Sequence, residues 1–138
     1  MTAVLKKIVQ PFLRSSGFKG SFPHYRRIGA EAIDLLTFQF NRHGGSFVIE
    51  VARCGTDGIM SARGLRIPPD ETRAWDIHPN YRTRIEPAPG NAGDKWFCFD
   101  AQSAEKVAGI VLQRLTEYDL WGQLPVGLSR PYSDGTPS

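Results

Sequence analysis

A chain of 138 residues, 41% hydrophobic and 22% charged, has the size and composition of one soluble globular domain with room for a real core. No apolar run approaches the ~20 residues of a membrane span. The opening MTAVLKKIVQPFL has neither the unbroken apolar stretch nor the small-residue cleavage site of a secretory signal, so a cytoplasmic protein without a membrane partner is expected. The net charge of +3 is modest but uneven: Lys6, Lys7, Arg14, Lys19, Arg26 and Arg27 precede the first acid, Glu31. Such asymmetry marks an anion-facing end or, more commonly, a solvated face.

Along the chain, Thr2 is placed to cap a first helix whose apolar stripe is Val4, Leu5, Ile8, Val9, Phe12 and Leu13. Pro11 removes a backbone donor and clashes with the preceding turn, which predicts a kink or break there. Gly17 is a natural residue just past the helix end. A turn-rich connector leads to a short strand over His24–Ile28.

The stretch IDLLTFQFNRHGGSFVIEVAR, residues 33–53, then alternates apolar and other residues on both sides of a Gly pair. That is a β-hairpin. A turn centred on His43-Gly44 sets Phe40 against Phe47, Phe38 against Ile49 and Leu36 against Val51, and a one-residue slip would expose all of them. Leu35, Thr37, Gln39, Val48 and Glu50 fall on the opposite face, which this pattern leaves as a mixed, open surface.

Residues 55–80 show no sustained period and are punctuated by Gly, Pro, Asp and Ser. A weakly patterned excursion of that length is a candidate binding loop, with a short helical turn near Pro68–Arg73. A fourth strand over Tyr81–Ile85, a turn-rich loop and a fifth strand over Lys95–Phe99 follow. Asp100 is placed to cap a long helix with Val107, Ala108, Val111, Leu112, Leu115 and Tyr118 on its apolar side, ended by Trp121-Gly122. The fold expected is therefore α+β: an antiparallel sheet of about five strands on a central hairpin, covered on one face by an N-terminal and a long C-terminal helix. One domain over residues 1–122 and a flexible tail over 123–138 complete it.

An N-terminal helix running into Gly17-Phe18-Lys19, then Tyr25-Arg26, Phe38-Gln39 and a Gly-turned strand pair resembles the bacterial DUF4304 family. Arg82-Thr83-Arg84-Ile85 matches its downstream arginine-containing strand. The resemblance covers roughly residues 4–120. It departs at Ile49-Glu50-Val51, where an Asn-containing strand is expected, and in a longer middle loop. It implies the α+β fold and a bacterial origin, and no reaction, cofactor or catalytic residue.

The residues themselves offer little chemistry. His24, His43 and His78 lack metal-ligand spacing to each other or to a Cys or acid. Cys54 and Cys98 belong to no CxxC and read as reduced strand thiols. Asp70, Glu71 and Asp76 read as solvated loop acids, so neither a cofactor nor an enzyme is expected. The reading that fits is a non-catalytic protein- or ligand-binding module, of immunity- or antitoxin-like kind, with a protein partner or a second copy as its occupant. Gln39, Glu50 and Trp75 on the second face would form the binding surface, together with Arg26, Arg82 and Arg84. The alternative is nucleic-acid binding, with Arg26, Arg27, Arg82 and Arg84 and the interleaved Tyr25, Tyr81 and Trp96 on a basic, aromatic-lined sheet. Against it stands the plainer role of arginines bridging Asp34 and Glu50 across the sheet.

Overall fold

The hairpin is the centre of the molecule. In the computed structural model, which describes residues 1–61, 63–88 and 95–128, β3 (Ile33–Phe40) and β4 (Ser46–Cys54) pair antiparallel. The register is the one the alternation dictates: Phe40 faces Phe47, Phe38 faces Ile49 and Leu36 faces Val51. The turn is wider than two residues. Asn41 N–H donates to the Ser46 carbonyl at 2.9 Å, leaving residues 42–45 to reverse the chain, with Gly44 and Gly45 at φ +82° and +80°, where side chains are disfavoured.

On one side of the hairpin, β2 (His24–Ile28) pairs with β3, and β1 (Lys19–Ser21) adds an outer strand that the sequence pattern did not announce. On the other side, β4 carries two short strands end to end. β7 (Thr83–Arg84) lies opposite Glu50 and Val51, and β8 (Phe97–Cys98) opposite Ser46 and Phe47. The five-residue strands expected over 81–85 and 95–99 shrink to these pairs, and Tyr81 belongs instead to a 3-10 turn, Pro79–Tyr81.

Three helices cover the Phe38 face. The N-terminal stripe divides into α1 (Thr2–Ile8) and α2 (Gln10–Ser15). The break falls at Val9, which puts Pro11 in the first turn of α2, where a missing N–H loses no partner. Met1, not Thr2, takes the capping position of α1. At the other end Gly17, at φ +95°, lets Gly17 N–H reach Arg14 O and Phe18 N–H reach Leu13 O, a Schellman closure that drops Phe18 into the core. α3 (Ala104–Glu117) starts later than Asp100. Asp100 Oδ1 instead accepts the backbone N–H groups of Gln102 and Ser103, forming a turn ahead of the helix. Leu5, Val9, Leu13, Val107, Ala108, Val111 and Leu115 bury against Leu36, Phe38, Phe47, Ile49 and Val51. At about 1.5–3 kcal/mol for each large apolar side chain, this face is the main source of stability.

The second face is not open, and here the expectation from sequence is corrected. The excursion folds back over the sheet as a small hairpin, β5 (Ile59–Met60) with β6 (Arg66–Ile67), and three single 3-10 turns. Ile59, Ala74 and Ile77 bury against Ile33, Leu35, Ala52 and Cys54. Leu35, Thr37 and Val48 are fully buried and Glu50 is only 4% exposed. The physical reason is area: a sheet face carrying Ile33, Leu35, Val48 and Ala52 holds too much apolar surface to leave in water.

The tail expected from residue 123 begins as packed chain. Leu124 joins the core, Val126 bridges in parallel to Arg53, and Gly127 N–H donates to Arg53 O at 2.7 Å. The rest of that expected tail, residues 129–138, lies outside the described residues.

Candidate functional site

The second face divides into an apolar end and a polar end. Pairing fixes which side chains share the polar end: His24 stands beside Thr37, Thr37 opposite Glu50, Gln39 opposite Val48, and Arg84 opposite Glu50. His24 Nδ1 and Thr37 Oγ1 share a hydrogen bond at 3.0 Å. The Trp75 ring meets the His24 ring edge-on, with centroids 4.7 Å apart. Burial, reinforced by Arg73 and Arg26 and opposed by Asp76, lowers the His24 pKa below its ordinary 6.5.

Glu50 sits at the centre. Its Oε2 lies 3.5 Å from Arg82 Nη1 and 3.9 Å from Arg84 Nε. Its Oε1 is buried with no hydrogen-bond partner. Arg82 is held in place by its own bonds, Nε donating to Ile77 O at 2.8 Å and Nη2 reaching Trp75 O at 3.5 Å. The Arg84 guanidinium lies 5.7 Å from the centroid of the Trp96 ring. Trp75 Nε1 is a second buried polar atom with no partner. An acceptor and a donor thus stand unpaired on one face, each in a position where a missing hydrogen bond costs about 1–3 kcal/mol.

Of the residues singled out from sequence, Glu50, Trp75, Arg82 and Arg84 are brought together here. Gln39 lies on the same face and is half-buried. Arg26 lies toward the β2 side, where its Nε donates to Thr72 O at 2.9 Å. Glu50, expected at the surface, is instead nearly enclosed, because the excursion and its two arginines lie over it. Sequence reasoning placed Thr37 on this face but missed His24 as a member of the group. His24 joins it through the pairing of β2 with β3, which sets His24 opposite Thr37.

A second ion-pair centre lies at the opposite end of the sheet. Asp34 accepts from Arg27 Nε and Nη2 at 3.0 and 2.8 Å and from Arg53 Nε at 2.9 Å. The bridging role anticipated for arginines at Asp34 and Glu50 is therefore the observed one. Among the described residues, no group of three or more His, Cys, Asp or Glu side chains is placed to hold a metal ion. No helix among them is long and apolar enough to cross a membrane.

The fold and this face together define a small α+β domain with its sheet enclosed between a helical layer and a folded excursion. Residues 9–121 match the family model described as a domain of unknown function, DUF4304. The chain belongs to that family. No curated protein and no solved structure matches it.

Proposed function

We propose that the protein is a non-catalytic binding module whose contact surface is the margin of the second sheet face, where Gln39, Trp75, Arg84 and Trp96 surround Glu50. The observation that carries this reading is that Glu50 Oε1 and Trp75 Nε1 are each buried without a hydrogen-bond partner. An extended segment of a protein partner, with a donor and an acceptor on each peptide group, is the occupant proposed for this margin. Trp and Arg at the margin are the residue types that dominate protein interfaces. In a bacterial cytoplasm, an immunity- or antitoxin-like protein paired with a second gene product is the form such a module takes. Nucleic acid is less favoured, because Arg26, Arg27, Arg82 and Arg84 each face an acceptor or acid of the chain itself.

The test is co-purification of the tagged full chain with the products of adjacent genes, alongside sedimentation to detect self-association. The wild-type protein should retain a partner or a second copy, and a Gln39→Ala/Trp96→Ala double variant with an unchanged melting temperature should weaken that complex about tenfold or more. Retention undiminished in the variant would refute the surface. A labelled oligonucleotide that binds at low salt, and weakens steeply as salt rises, would replace the reading with the nucleic-acid one.

A further inference from the structure

The helical side of the sheet carries a cavity of about 170 Å³ unrelated to Glu50. Phe12, Leu13 and Ser16 of α2, Phe18, Arg27 of β2, Leu115 and Thr116 of α3, and then Tyr118 and Trp121 line it. Four aromatic side chains share its lining with two leucines and the polar Ser16, Arg27 and Thr116. Phe18 and Trp121 meet at 5.4 Å between centroids, and Tyr118 packs edge-on to Trp121 at 5.1 Å. The Arg27 guanidinium lies 4.7 Å from the Phe18 centroid and 5.4 Å from that of Trp121.

Among the described residues, the Tyr118 hydroxyl of this lining is buried and without a hydrogen-bond partner. Arg27, by contrast, is engaged with Asp34 and with Ser16 O. Desolvation, with Asp34 and Asp119 adding to it, pushes the Tyr118 pKa up to about 12, so the phenol stays protonated and offers a donor. A cavity of about 150 Å³ accepts benzene when its walls are apolar; the space here is of similar size, with a lining that mixes polar and apolar groups.

We propose that this cavity is a binding site for a small, uncharged, single-ring molecule carrying a carbonyl oxygen, the ring lying against the aromatic side of the lining and the oxygen accepting from Tyr118 Oη. Charge selects the neutral form. Asp34 and Asp119 both bear on Tyr118 and would repel a carboxylate brought to its hydroxyl, while Arg27 of the lining is already paired with Asp34.

The probe is benzamide, with benzoate and toluene as comparators, followed by amide chemical shifts of the full chain at millimolar ligand. Benzamide should shift resonances of Ser16, Phe18, Thr116 and Trp121, and bind more tightly than either comparator. Tyr118→Phe should weaken it about five- to tenfold, the loss expected for one neutral hydrogen bond, and should leave toluene unaffected. Thr116→Phe, at an exposed position on the rim, should block both without unfolding the protein. Absence of benzamide binding to the wild-type chain would overturn the proposal. So would benzoate binding equal to or tighter than benzamide, or benzamide binding unchanged in both variants.

Discussion

The two buried carboxylates make opposite predictions from similar surroundings. Asp34 and Glu50 each face two arginines, and their side chains are 9% and 6% exposed. Asp34 accepts three hydrogen bonds of 2.8–3.0 Å. An Asp34→Asn substitution would remove one acceptor oxygen and set an amide N–H against guanidinium N–H. With Arg27 and Arg53 only 31% and 23% exposed, water can restore part of the loss, and the expected cost is about 3 kcal/mol. Glu50 makes no contact shorter than 3.5 Å to its arginines, and Arg82 retains its bonds to Ile77 O and Trp75 O without it. Glu50→Gln loses a distant attraction, relieves the burial of a charge, and should change stability by no more than about 1 kcal/mol. Urea unfolding separates the two. With a slope of about 1.5 kcal/mol per molar urea, Asp34→Asn lowers the midpoint by about 2 M and Glu50→Gln by less than about 0.7 M. Equal losses would refute the reasoning, since they would make Glu50 a structural pair like Asp34 rather than a group held with unmet hydrogen-bonding capacity.

Three further outcomes follow from separate parts of the molecule. Cys54 is buried, and that burial, with Asp76 and Asp34 adding to it, pushes its pKa up to about 11, while Cys98 is exposed. A thiol reagent should therefore modify only Cys98 in the native protein and both after denaturation, as read by intact mass. Gly58 adopts φ +82°, and a Cβ there would run into Ile67 O. Gly58→Ala should cost about 1–3 kcal/mol and should raise hydrogen exchange in residues 55–82 before the rest of the sheet. The folded-state pKa of His24 is lowered below 6.5, so the unfolded chain takes up the proton first, and stability is lost as pH falls from 6.5 through the folded-state value. An NMR titration should place the His24 midpoint below 6.5, and His24→Gln should flatten the stability profile in that window.

The helical layer and the hairpin register were legible because each rests on a period. Leu5, Val9 and Leu13 recur at helical spacing, and Phe38, Phe40, Phe47 and Ile49 recur at strand spacing, so burial follows directly from position. The covering of the second face was not legible. Ile59, Ala74 and Ile77 come from a hairpin of two-residue strands and a separate 3-10 turn, and elements that short impose no period to read. Val48 and Leu35 were nonetheless a warning, since a strand with apolar residues on both faces is one buried on both. The candidate site was half legible for the same reason. Parity placed Thr37, Gln39 and Glu50 on one side, whereas Arg84 joins them only through the pairing of β7 with β4, and the position of Trp75 over His24 depends on how the excursion folds. The Tyr118 cavity left no sequence signal, because Tyr118 and Trp121 follow the end of α3 and only the closure at Gly17 brings Phe18 to them.

The bridge between Val126 and Arg53 has a consequence for synthesis. Residues 1–54 supply four adjacent strands and can pair among themselves as soon as they leave the ribosome. The excursion cannot complete its seat at that stage, because His78 N–H donates to Leu128 O at 2.7 Å and Gly127 N–H to Arg53 O at the same distance. A nascent chain short of residue 128 therefore lacks one of the ties holding the Ile77 end over Ile33, Leu35 and Ala52. That leaves an apolar face at risk of adhering to other nascent chains or to a chaperone. The segment that fastens the second face last, in the order of translation, determines when the newborn protein stops being sticky.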